Sequence, residues 1–209
     1  MSDLVYMLNL VGIGVFAISG ALVASRKELD LFGFAFIALV TSVGGGTLRD
    51  LLLGQTPVFW VQDPWNVAPA IAASIVVFFA APWVQHRYKV LLWADALGMS
   101  LFAVIGASVA LEAGTNPLVA VFMGGISATF GGVIRDIICN EVPLLLRKEL
   151  YITPAIIGSA IVVYLPALLP SFSGGMIVGF SAAFIIRGLG IYYGISSPAY
   201  KSRPGREYP

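Results

Sequence analysis

Two stretches of this 209-residue sequence combine residue types able to handle charge: Gly44-Gly45-Gly46-Thr47-Leu48-Arg49-Asp50 and Gly131-Gly132-Val133-Ile134-Arg135-Asp136. A carboxylate takes a cation, a guanidinium takes an anion, and glycine lets a helix bend or another backbone come close. Both stretches lie inside long apolar runs. In hydrocarbon, charges and helix-breaking glycines are costly, so such sites face a protein interior or a water-filled cavity. The chemistry they point to is the passage or binding of small charged solutes.

The elements that must position them are membrane helices. Hydrophobic residues make up 58% of the chain and charged residues only 11%, with a mean hydropathy of +0.91; a soluble domain is about 25% charged. Seven apolar runs are long enough to read as spans: Leu4–Ala24, Leu31–Leu53, Val67–Trp83, Val90–Leu111, Pro117–Cys139, Tyr151–Leu169 and Gly174–Tyr193. The third and sixth are the short ones. The fold expected is an all-α integral membrane domain over 1–209, with no room for a separate soluble unit. The first run begins with Asp3 rather than a basic residue and recurs later in the chain, so it reads as a retained helix rather than a signal peptide.

Basic residues set the expected orientation. Arg26 and Lys27, Arg87 and Lys89, and Arg147 and Lys148 occupy alternate loops, and Lys201, Arg203 and Arg206 the tail, whereas Gln55–Asn66, Glu112–Asn116 and Pro170–Ser173 contain no Lys or Arg. The positive-inside rule then places the N-terminus outside and the C-terminus in the cytoplasm. Trp60, Trp65 and Trp83 fall near span ends, as interfacial anchors do.

Shifting the chain by 86 residues lays spans one to three on spans four to six without a gap. Gly12, Phe16 and Gly20 meet Gly98, Phe102 and Gly106; Gly45-Gly46 meets Gly131-Gly132; Arg49-Asp50 meets Arg135-Asp136; Pro57 meets Pro143. Repeats of three spans each enter the membrane from opposite sides. The expectation is an inverted pair, about 4–83 and 90–169, with a seventh helix at about 174–193 and a tail at 194–209. Transporters and channels use this architecture with their pathway between the repeats.

Helix rise puts Gly45 about 21 Å along the second span and Arg49 about 6 Å further. Arg49-Asp50 is thus expected in the outer half of the membrane and Arg135-Asp136 in the inner half. The glycines predict a bend or unwound turn at each site, freeing carbonyls for a cation. Neighbouring residues on a helix point about 100° apart, so Arg49 and Asp50 are each expected to find another partner. Asn9 and Asp95, equivalent in the two repeats, are the polar candidates within spans one and four. Ser42, Thr47, Ser127 and Thr129 supply hydroxyls beside the expected breaks, and Arg187 in span seven, which has no repeat mate, reads as structural pairing or snorkelling rather than transport. Simple close packing of helices at the glycines is the competing reading.

Catalysis is not expected. Asp50 and Asp136 fall on opposite membrane halves, and neither GxSxG nor HExxH occurs. His86, the only histidine, lies in a polar loop; Cys139, the only cysteine, permits no intrachain disulfide.

At these residues the chain resembles the TRIC family, the trimeric intracellular cation channels, in its prokaryotic branch, which is also catalogued as a glycine-transporter domain. The resemblance spans nearly the whole chain. It implies a homotrimer in a prokaryotic inner membrane, with one pore per subunit between the second and fifth helices conducting K⁺ and Na⁺. Gly44, Gly45, Gly46, Thr47, Arg49, Asp50, Thr129, Gly131, Gly132, Arg135 and Asp136 would line that pathway. Animal members carry lysine-containing motifs there that engage a phosphoinositide; this chain has Arg-Asp instead. No cofactor, bound metal or nucleic acid is expected, and membrane lipid is the one further ligand with room in the scheme. The alternative reading is a secondary transporter of a small zwitterion such as glycine, with Arg for the carboxylate and Asp for the amine.

Overall fold

The computed structural model describes residues 3–84, 86–170 and 174–198. The helices are α1 (Asp3–Arg26), α2 (Leu31–Leu52), α3 (Phe59–Gln62), α4 (Ala68–Ala80), α5 (Arg87–Glu112), α6 (Pro117–Ile138), α7 (Ile152–Leu168) and α8 (Gly175–Tyr193). Short 3₁₀ turns at Pro64–Val67, Ala81–Trp83 and Leu144–Leu146 complete the set among the described residues. Helix is the expected answer to apolar runs of this length, because every backbone group is then satisfied within its own segment. Side chains fix the starts: Asp30 accepts a hydrogen bond from the Gly33 amide at 2.7 Å ahead of α2, and Asn116 from the Leu118 amide at 3.0 Å ahead of α6. Gly194, at φ +65°, closes α8 in the left-handed conformation.

Among the described residues, six helical stretches are long and apolar enough to cross a membrane; α7, the sixth of the seven runs and one of the two read as short, is an apolar helix of 17 residues. The third stretch is composite, with α4 held between two 3₁₀ turns over Pro64–Trp83. Proline near the start of each of its three pieces removes amide donors and favours this segmentation. The basic tail residues Lys201, Arg203 and Arg206, and Ser171–Ser173 of the sixth connection, lie outside the described residues.

The core is an α1–α5 pair, buried over 61% and 72% of their apolar windows. Phe16 and Phe102 meet at its centre with ring centroids 5.7 Å apart. Each ring lies over a glycine of the opposite helix, Phe102 on Gly12 and Phe16 on Gly98, so the two helices run antiparallel. On either side α2 packs against α1 and α6 against α5, again over a glycine: Gly20 faces Thr41, and Gly106 faces Ser127. Every one of these contacts recurs at the 86-residue offset.

Where α2 crosses α6 the expected helix breaks are absent. Both helices continue unbroken through Gly44–Gly46 and Gly131–Gly132. A side chain on Gly45 would strike the Ser127 carbonyl, and one on Gly131 the Thr41 carbonyl. The glycines therefore permit close backbone contact, and the carbonyls stay in their helical ladders rather than being freed for a cation. The hydroxyls follow suit: Ser42, Thr47, Ser127 and Thr129 each donate to a carbonyl of their own helix, at 3.0, 2.8, 2.8 and 2.8 Å.

Candidate functional site

Arg49 and Asp50 lie in the last turn of α2, and Arg135 and Asp136 in the last turn of α6. All four side chains are buried. Contrary to expectation, each arginine pairs with its own neighbour. Arg49 Nε and Nη2 donate to Asp50 Oδ1 at 2.8 and 2.7 Å, and Arg135 Nε donates to Asp136 Oδ1 at 2.8 Å. The two side chains leave the helix about 100° apart, but the long arginine chain curls around it and closes the gap. The second carboxylate oxygen caps the chain that follows: Asp50 Oδ2 accepts from the Phe59 amide at 2.9 Å and Asp136 Oδ2 from the Leu144 amide at 3.0 Å. A carboxylate at a helix C-terminus opposes the macrodipole, and these charged and amide partners offset that cost.

Beyond this shared clasp the two junctions differ. Arg135 Nη1 also donates to Asp95 Oδ1 at 2.8 Å and to the Ser19 hydroxyl. Arg135 is 1% exposed and Asp95 0%. Tyr151 closes over them, and Arg187 lies over the Tyr151 ring at 5.2 Å. Arg187 is itself tied to Glu149 Oε2 at 2.7 Å and the Leu150 carbonyl at 3.0 Å, the structural pairing its position suggested.

At the Arg49 junction Asn9 stands where Asp95 stands, yet it does not reach Arg49; it donates to Asn66 Oδ1 at 2.8 Å. Arg49 instead borders a cavity of about 360 Å³ with Tyr6, Asn9, Phe59, Gln62, Asp63, Asn66, Ile105 and Val109. Tyr6 donates to Asp63 Oδ2 at 2.7 Å across it, and Phe59 covers the Arg49 guanidinium at 5.7 Å.

The wall on that side is α3, within the Gln55–Asn66 stretch that reads as a loop in the sequence. One turn is too short to show helical periodicity, and the flanking Pro57 and Asp63-Pro64 read as turn residues. Trp60, expected as an interfacial anchor, is half-buried and donates from its indole to the Thr47 hydroxyl at 2.9 Å, pinning α3 to α2. Trp65 and Trp83 are exposed, as anchors are.

A family model described as Glycine transporter matches residues 6–82 and again 92–167, two matches that begin 86 residues apart. A solved structure of a TRIC trimeric intracellular cation channel orthologue from Rhodobacter sphaeroides is 46% identical, with a TM-score of 0.89 over 93% of this chain and 100% of that one. The chain belongs to the TRIC family. A second TRIC cation channel, solved for the basis of its conductance, is 36% identical with a TM-score of 0.84 over 98% of this chain and 100% of its own. The UPF0126 inner membrane protein YadS of Escherichia coli K12 is 43% identical over 159 residues, 76% of this chain and 77% of that protein. Like these TRIC relatives, the chain is a membrane protein built on apolar helices.

Proposed function

We propose that the chain is a monovalent cation channel for K⁺ and Na⁺, working as a homotrimer in a prokaryotic inner membrane, with one pathway per subunit along the α2–α6 crossing. Its N-terminus is outside and its C-terminus cytoplasmic, so the Arg49 cavity opens outward and the Arg135 junction faces the cell. Two inverted repeats, about 4–83 and 90–169, form the pathway, and α8 belongs to neither.

The observation that carries this reading is the charge balance. Each junction holds one more carboxylate than guanidinium, Asp50 and Asp63 about Arg49 and Asp95 and Asp136 about Arg135. A net negative interior concentrates cations, while an arginine at each station keeps them from binding too tightly to leave. The likeness to solved TRIC channels supports the same reading. With unbroken helices, the pathway runs past side chains rather than past freed carbonyls, and the glycines serve it by setting the helix spacing.

A second reading has its own observation. Arg49 and Asp63 line one cavity of about 360 Å³, room enough for a small zwitterion. The two are separated by flux into proteoliposomes of K⁺ and of radiolabelled glycine, with the unaltered protein beside Arg49→Ala and Arg135→Ala. Non-saturating K⁺ flux that both substitutions change is the expected result. Saturable glycine uptake abolished by Arg49→Ala, with little K⁺ leak, would replace the channel by a carrier.

A further inference from the structure

The two junctions use the same positions of the two repeats and diverge at those facing the guanidinium. Asp95 and Ser19 take Arg135 Nη1. Their counterparts at the 86-residue offset are Asn9 and Ile105, which form cavity wall beside Arg49. A carboxylate at this position draws the guanidinium into the α1–α5–α6 contact; an amide beside isoleucine offers it neither charge nor hydroxyl.

The sealed junction also contains unmatched atoms. Among the described residues, Asp95 Oδ2 and the Tyr151 hydroxyl are buried without a hydrogen-bond partner. Both residues converge on Gly132, where an added side chain would come within 2.8 Å of the Tyr151 hydroxyl and 3.5 Å of Asp95 Oδ1. Buried polar atoms without partners are costly, and water relieves that cost where a site is polar and has room. The junction is tight around Gly132, so room for water beside these two atoms would open only where Arg135 moves away.

We infer that Asp95 is the positioning residue that holds the Arg135 half shut, and that the Asp95/Ser19 pair against the Asn9/Ile105 pair decides which end of the pathway is hydrated. This rests on the two junctions being ends of one pathway. Unlocking is a movement of Arg135 away from Asp95, with water taking the vacated carboxylate oxygen and the Tyr151 hydroxyl.

The test is labelling of single-cysteine reporters by a water-soluble methanethiosulfonate in detergent, in a Cys139→Ala background. Val109→Cys on the cavity wall should react readily, and Leu91→Cys, buried one turn before Asp95 and outside the polar seal, slowly. D95N should speed Leu91→Cys labelling about tenfold or more, as loss of a buried ion pair predicts, and D95E should restore slow labelling. N9D should slow Val109→Cys severalfold by drawing Arg49 across the cavity. Equal Leu91→Cys rates before and after D95N would overturn the inference. Should D95N fail to give a monodisperse protein, unchanged Val109→Cys labelling in N9D overturns it and slowed labelling upholds it. Labelling needs no ion flux. A protein that conducts nothing yet shows these shifts loses the channel and keeps the seal; one that conducts without them keeps the channel and loses the seal.

Discussion

Arg49 and Arg135 occupy the same place in two halves of one chain, clasp the carboxylate next to them alike, and end in opposite surroundings. One borders a cavity; the other is packed into a closed cluster with Asp95, Ser19 and Tyr151. The helices around them do not differ in this way. Phe16 on Gly98 mirrors Phe102 on Gly12, and Gly45 against Ser127 mirrors Gly131 against Thr41. Backbone spacing is therefore common to both halves, and the difference between an open cavity and a closed cluster goes with a few side chains on α1 and α5. The protein keeps a symmetric frame and places its asymmetry in polar chemistry.

The sharpest way to break that comparison is to delete each arginine. Arg135→Ala leaves Asp95 and Asp136 buried without a cationic partner, Asp136 keeping only the Leu144 amide, a loss of about 3–5 kcal/mol. Arg49→Ala leaves Asp50 still accepting from the Phe59 amide, next to room that joins the cavity Arg49 borders, and should cost less, about 1–3 kcal/mol. Thermal unfolding in detergent ranks them; equal losses would mean that the cavity does not hydrate the Arg49 junction.

The frame predicts the opposite pattern. Gly45→Ala and Gly131→Ala each push a methyl into a carbonyl of the facing helix, where neither backbone can yield cheaply, so each should cost about 1–3 kcal/mol. The two losses should match. If only one is destabilising, the crossing is not symmetric in energy, whatever its geometry.

Smaller again is Trp60→Phe, which removes the indole bond to Thr47 and loosens α3 over the cavity. About 1 kcal/mol is expected. The counterpart of Trp60 is Leu146, 73% exposed, so Leu146→Ala should change stability less. A larger effect at Leu146 would show that the 3₁₀ turn after α6, not α3, is the tighter lid.

How much of this is readable from sequence follows from what each feature depends on. The offset shows because paired glycines, aromatics and charges repeat in register, and contacts as specific as Gly20 on Thr41 and Gly106 on Ser127 need those residues at those places. The Asn9/Asp95 difference is also visible, as an amide facing a carboxylate at one of the many unlike positions between the matched glycines, aromatics and charges. The pairing of Arg49 with Asp50 is not, because it depends on how a flexible side chain curls. The glycines misled for a related reason: whether a glycine bends its helix or admits a neighbour is decided by the neighbour, here a carbonyl four residues from the other glycine.

The smallest effect lies on the face that the Arg135 half presents to the loops. Glu141 lies near three cations, Arg26 at 3.3 Å, Lys27 at 3.5 Å and Arg147 at 3.8 Å, all partly exposed. It ties the α1–α2 turn to the segment after α6, and its counterpart at the 86-residue offset is Gln55, in a loop without Lys or Arg. Partly exposed pairs are worth about 0.2–1 kcal/mol, and salt screens them, with a Debye length near 3 Å at about 1 M. Glu141→Gln should lower the melting temperature slightly in dilute KCl, and the difference should vanish in concentrated KCl. Gln55→Glu should gain nothing under either condition, since no cation waits for it. A stabilising Gln55→Glu would mean that the two ends of the molecule are more alike in charge than their loops suggest; a salt-resistant loss at Glu141 would mean that the tie is buried in the assembled protein and belongs to its packing rather than to its surface.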